Sequence, residues 1–145
     1  MHLAPKVPSR SAAAPVRQEA ATEIVSAIIP LLRDDAAIAE AHRAYKAALA
    51  VETRQVEFLY VLDRRSHAAL SALTALKQAG EPLTLIVLSR WDGEGAALRS
   101  GFERASGDAV LILAASPQVD PRDVPKVLEQ LAHSDMAVAS RAVLR

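Results

Sequence analysis

Four short apolar runs, Ile24 to Ile29, Val56 to Leu62, Leu83 to Ser89 and Ala109 to Ala114, alternate along this chain with longer segments whose apolar residues recur at helical spacing. Runs this short, rich in Val, Ile and Leu, suit strands buried on both faces. After Pro30, Asp34-Asp35 suits the cap of a helix carrying Ile38, Ala41, Tyr45, Ala48 and Leu49 as far as about Ala50. Ser66 caps a second helix with Ala69, Leu70, Leu73 and Leu76 on one face, ended by Gly80. The glycine-containing loop Trp91 to Gly95 leads into a third, from about Ala96 to Ala105, closed by Ser106-Gly107. Asp120 at the N-cap and Pro121 in the first turn open a fourth, through Val124, Val127, Leu128 and Leu131. A fifth strand is expected from Met136 to Ser140. Right-handed crossovers fold this order into an α/β domain, a Rossmann-like parallel sheet of about five strands with helices on both faces.

The 145 residues suit one domain, and a chain of this size buries roughly 70% of its unfolded surface. Because 51% of the residues are hydrophobic and only 3% aromatic, the core is built from Ala, Val, Leu and Ile. Seventeen basic and seventeen acidic side chains cancel without forming blocks, which argues against nucleic acid or an anionic membrane surface as partner. The absence of cysteine excludes disulfides, thiolate-bound zinc and a thiol nucleophile, and fits a reducing cytoplasm. His2, His42, His67 and His133 are too dispersed to suggest a metal site. No run of about 20 apolar residues spans a bilayer, and the N-terminus has no apolar core of a signal peptide. Residues 1–21 therefore read as a mobile tail, residues 22–145 as the domain, and the location as cytoplasmic.

Ligands of open parallel sheets sit beyond the carboxyl ends of the strands. That rule directs attention to Pro30 to Asp35, Asp63 to Ser66, Ser89 to Gly95 and Ala114 to Asp120. In order, the stretches Val25 to Asp35 (VSAIIPLLRDD), Val61 to Ser66 (VLDRRS), Gly95 to Phe102 (GAALRSGF), and Ala105 to Leu113 (ASGDAVLIL) with Gln118 to Pro125 (QVDPRDVP) resemble glycosyltransferase family 2. The family has the GT-A fold, and the likeness is to its dolichol-phosphate-mannose-synthase-like branch. The first stretch stands where the family has its opening strand and P-x-x-N-E loop, the second where it has V-D-D-G-S, and the third where it has G-x-A-L-x-x-G. The resemblance implies a nucleotide-diphosphate sugar as ligand, held at Pro30, Leu31, Asp34, Asp63, Gly95 and Arg99.

The resemblance also implies a divalent cation, Mg or Mn, on an Asp-x-Asp after the fourth strand. Here that motif falls on Ala114-Ala115-Ser116, so both carboxylates are missing. Arg33 and Asp34 replace the family's Asn and Glu, Leu62 replaces the first Asp of the second motif, and Arg64-Arg65 replace its Gly-Ser. No catalytic residue and no metal ligand is assigned. The family continues into an acceptor-binding half that supplies the general base, and the sequence ends at Arg145 ahead of it. The expectation is a nucleotide-sugar-binding domain that is inactive or weak alone. The alternatives are a non-catalytic interaction or dimerisation module and the donor half of a split transferase. Uncovered strand edges and helix faces predict self-association or a partner polypeptide.

Individual residues carry two readings each. Asp63 suits a nucleobase contact or a turn, and Asp34 suits a nucleoside contact or a helix start. The pair Arg64-Arg65 suits phosphate or a solvated turn. Gly93-x-Gly95, with Arg99 one turn on, suits a phosphate cradle or plain loop geometry. Asp120 and Asp123 stand in a helix-start signature and are read as caps.

Overall fold

A computed structural model describes residues 24–137. The expected tail, residues 1–21, and Val138 to Ser140 of the expected fifth strand lie outside the described residues. Within them the strands are β1 (Ile24–Pro30), β2 (Gln55–Asp63), β3 (Leu83–Leu88) and β4 (Ala109–Ile112), and the helices α1 (Ile38–Ala48), α2 (His67–Gln78), α3 (Glu94–Arg104) and α4 (Val124–Gln130). The strands form one parallel sheet in the order β3-β2-β1-β4. Met136 and Ala137 carry no strand, which corrects the described part of the expected fifth strand.

Side chains alternate across this sheet with the two-residue period of extended backbone. Val25, Ala27 and Ile29 of β1, Phe58, Tyr60 and Leu62 of β2, and Leu111 of β4 face a large cluster with Ile38, Tyr45, Leu73, Val124 and Leu128. That face is covered by α1, α2 and α4. Ile28, Leu59, Val61 and Ile86 face the other way, against Ala97 of α3. The Gly101 of the G-x-A-L-x-x-G stretch lets α3 sit close on the sheet, because a Cβ there would lie 2.5 Å from Ile28 Cγ2.

Helix ends show where local signals sufficed and where they did not. Asp120 caps the short 3₁₀ turn Pro121–Asp123 ahead of α4 and not α4 itself: its side chain accepts the Arg122 amide at 2.9 Å, and the Arg122 guanidinium beside it draws its carboxyl down to about 2. Asp123, at the N-cap of α4, makes no capping bond with its side chain. Gly80, at φ 102°, closes α2 in a Schellman motif, with Glu81 N–H donating to Leu76 O and Gly80 N–H to Lys77 O. Ser66 occupies the N-cap position of α2 but makes no capping bond with its side chain, contrary to expectation. The bond comes from Asp34, whose Oδ1 accepts the Ala69 amide at 2.9 Å. Asp34 thus serves α2 instead of α1, whose start is tied by Asp35 Oδ1 to Ala37 N–H at 2.9 Å. Replacing Asp34 by alanine should lower stability by about 1 kcal/mol, with Asp34→Asn retaining most of it, in urea denaturation.

β4 ends two residues earlier than its apolar run. Leu113 N–H still donates to Ile28 O at 3.0 Å, but the Ala114 carbonyl leaves the ladder and accepts the Tyr45 hydroxyl at 2.6 Å. Burial pushes that phenol up to about 12, so it remains a donor throughout the physiological range.

A polar chain, buried at one end and open to solvent at the other, links α1 to β2. His42 is fully buried, with Nδ1 2.5 Å from the Tyr60 hydroxyl and Nε2 3.5 Å from Glu81 Oε2, and Lys46 Nζ holds Glu81 at 2.6 Å. Burial lowers the pKa of His42, helped by Lys46 and Arg43 and opposed by Glu81. The neutral tautomer that fits accepts from Tyr60 at Nδ1 and donates from Nε2. A His with a lowered folded-state pKa contributes stability above its unfolded value of about 6.5 and loses it as pH falls from there toward the folded value. Acid should therefore destabilise the domain below about pH 6.5, with a slope of up to about 1.4 kcal/mol per pH unit from this group. The non-titrating His42→Gln variant should flatten that part of the stability-pH profile.

Candidate functional site

The sheet order reverses direction between β1 and β4: β2 and β3 extend from one side of β1, and β4 lies on the other. At that switch point the loops leaving the two strands diverge, which opens a crevice at their carboxyl ends. The cleft there measures about 570 Å³. Pro30, Leu32, Arg33 and Asp35 line it from the β1 exit, Ile112 to Ser116 and Gln118 from the β4 exit, and Glu94 from the start of α3.

Of the six residues the sequence assigned to a nucleotide sugar, Pro30 lines this cleft. Leu31 turns its side chain into the core, and its amide donates to Val61 O at 2.8 Å. Asp34 is exposed, with Oδ1 engaged at the start of α2. Asp63 ends β2, where its Oδ1 accepts the Arg65 amide at 2.9 Å and its Oδ2 the Arg65 guanidinium at 2.9 Å. That guanidinium holds the Asp63 carboxyl below the usual carboxylate range. Gly95 and Arg99 are exposed on α3, which begins after Gly93 (φ 100°) without a side-chain cap. None of these last five is part of the cleft lining. Three charged residues not assigned to the ligand from the sequence are part of it: Arg33, Asp35 and Glu94. Arg33 and Asp35 had a signal, their place directly after β1. Glu94 had one too, its place in the Ser89 to Gly95 segment after β3, but its approach to the crevice between β1 and β4 depends on how α3 docks.

The mouth of β4 decides whether a divalent cation fits. Ala114 and Ser116 bring no charge, the Ala114 carbonyl accepts from Tyr45, and the Ser116 carbonyl accepts from the Gln118 side chain at 3.2 Å. Asp35 and Glu94 are the carboxylates of the lining, and Asp35 already accepts the Ala37 amide. Among the described residues no group of three His, Cys, Asp or Glu side chains is arranged to hold a metal ion. Magnesium-type ions are bound through one or two carboxylates together with substrate phosphates. The donor set at the end of β4 does not fit such an ion.

An open parallel sheet with helices on both faces and its crevice at the switch point defines a doubly wound α/β domain. Residues 26–143 match the family model Glycosyl transferase family 2, and the chain belongs to that family. It is 31% identical over 119 residues to an undecaprenyl-phosphate 4-deoxy-4-formamido-L-arabinose transferase of Pseudomonas aeruginosa strain LESB58, covering 81% of this chain and 35% of that protein. The transferase of the same description from Klebsiella pneumoniae strain 342 is 30% identical over 107 residues, covering 73% of this chain and 33% of its own length. The chain thus spans about a third of the length of these relatives. In fold it is similar to a mannosyltransferase from Pyrobaculum calidifontis, solved in complex with GDP-Man and Mn2+, with a TM-score of 0.60 and 21% identity, over 86% of this chain and 34% of that one. No helix among the described residues is long and apolar enough to cross a membrane.

Proposed function

We propose that the cleft between β1 and β4 binds a nucleotide-diphosphate sugar, and that this polypeptide alone is a weak or inactive transferase. The observation that carries the reading is the neutral Ala114-Ala115-Ser116 lining the switch-point crevice of a family 2 domain. Family membership supports the ligand class. Pro30 lies in the cleft wall, and Leu31, Asp34, Asp63, Gly95 and Arg99 are the further contacts proposed from the family's motifs. In transfer from a nucleotide-diphosphate sugar, negative charge grows on the departing diphosphate, and fixed charge aimed at it is often the largest catalytic contribution. A methyl group and a hydroxyl supply none, so transfer from this cleft is weak or absent.

Calorimetry of the full chain with UDP- and GDP-sugars, with and without manganese, tests this. Binding in at least one case and no manganese-dependent transfer is the expected result. Manganese-dependent sugar transfer by this polypeptide alone overturns the inactivity, and no nucleotide binding at all overturns the ligand class.

A second reading, an interaction module, is favoured by one feature. Ile112 of β4 and Phe102 of α3 are about half exposed, at 51% and 48%, and α3 packs on β1, β2 and β3. If these exposed apolar side chains pair copies of the chain, sedimentation at micromolar concentration gives a dimer. A single monomer boundary removes the reading.

A further inference from the structure

We infer that Arg33 supplies the positive charge that holds the diphosphate in this cleft, in place of a divalent cation. The inference rests on the reading of the cleft as a nucleotide-diphosphate site. A diphosphate brings at least two negative charges, and water stabilises them well, so a cleft that takes it up must offer a cation or several donors. The β4 exit offers neither: Ala114 and Ser116 are uncharged, and two of its carbonyls already accept bonds from Tyr45 and Gln118.

Arg33 is the cation of the lining. The other arginines around the strand ends show what happens to a guanidinium with an aspartate two residues away. Arg65 pairs with Asp63 at 2.9 Å, Arg90 with Asp92 at 2.7 Å, and Arg122 with Asp120 at 2.5 Å. Arg33 has Asp35 at the same spacing, yet Asp35 Oδ1 is turned to the Ala37 amide. Among the described residues the Arg33 side chain has no hydrogen bond or ion pair. It is exposed, so its N–H donors are available to a ligand. The planar fork of a guanidinium matches two phosphate oxygens at once, an arrangement an ammonium does not reproduce.

Asp35 and Glu94 share the lining and oppose an anion. One cation stands against two carboxylates, so removal of Arg33 leaves only negative charge among the charged side chains of the lining. Binding of a diphosphate should therefore hinge on this residue, while contacts to the nucleoside should not.

The test is calorimetry of the full chain in EDTA, with inorganic pyrophosphate, UDP and GDP as probes and uridine and guanosine as phosphate-free controls. Wild type is expected to bind UDP or GDP without metal. Arg33→Gln should weaken that binding at least roughly tenfold, with pyrophosphate lost in parallel and nucleoside affinity unchanged. Arg33→Lys should fall between the two, and Lys77→Gln, at the far end of α2, should match wild type. Binding of UDP and GDP by Arg33→Gln within twofold of wild type overturns the assignment of Arg33 and leaves the nucleotide site standing. An equal loss of nucleoside affinity also overturns it, since Arg33 would then be shaping the cleft and not meeting phosphate. If wild type binds neither UDP nor GDP in EDTA, the assignment of Arg33 falls, and if it binds neither with manganese as well, the nucleotide site falls with it.

Discussion

Alanine in place of Gly107 should lower the stability of this domain by about 3 kcal/mol, seen as a fall in the urea midpoint and a drop of roughly 10 °C in the melting temperature. A Cβ on Gly107 would stand 2.6 Å from Ile24 O, 2.6 Å from Ser26 Oγ and 2.8 Å from Ser26 N. Two of those atoms are backbone of β1, a strand hydrogen-bonded on both sides, so the obstruction has no rotamer by which to yield. The same amide donates to Ser26 Oγ at 2.8 Å, and that hydroxyl donates to Glu57, which also takes the Ser106 amide at 2.8 Å. Burial would raise the Glu57 carboxyl, but these donors outweigh it and keep the group below its usual range. Displacing Gly107 therefore loosens a polar cluster as well as the packing. Gly95→Ala is the comparison: nothing lies within 4 Å of its Cβ, and alanine in the first turn of α3 should be neutral or slightly stabilising. A Gly107→Ala protein within about 0.5 kcal/mol of wild type would sink this account of the α3–β4 connection.

The second large effect concerns the metal. The double variant Ala114→Asp, Ser116→Asp should acquire manganese-dependent binding of UDP or GDP, tightening about tenfold or more, at least 1.4 kcal/mol, over its value in EDTA. Wild type should show no such difference. Neither position is buried, so the carboxylates do not have to be taken out of water, and the fold should tolerate them. They would bring two negative charges to the β4 exit, where the ion and the diphosphate meet. The single variants should give smaller effects, because one carboxylate does less to offset the ion's dehydration. Should the folded double variant bind nucleotide identically with manganese and with EDTA, the alignment of the Asp-x-Asp motif with Ala114 and Ser116 would be wrong.

Much of the architecture was written locally. Short aliphatic runs bounded by Pro30, Ser66 and Gly80 gave the four strands of the sheet and the crossover helices to within one or two residues at most ends, because a two-residue or 3.6-residue period reports a face directly. The exceptions have long-range causes. β4 stops at Ile112 because a tyrosine 69 residues before Ala114 takes that residue's carbonyl. α2 is capped by Asp34, 35 residues before the amide it binds, although Ser66 stands at the position that local preference favours.

The candidate site divides along the same line. The sequence by itself determined that the β4 exit is uncharged, since no packing can put a carboxylate on Ala114 or Ser116. It also determined the sheet class, through the order of its periodic segments. Only the tertiary structure decided which of the loop residues meet: it put Pro30, Arg33, Asp35 and Glu94 around one crevice, turned Leu31 into the core, and engaged Asp34 and Asp63 elsewhere. The physical reason is range. Periodicity and capping preference act over a few residues, whereas the cleft exists where β1 and β4, far apart in the chain, pair side by side and send their loops in opposite directions.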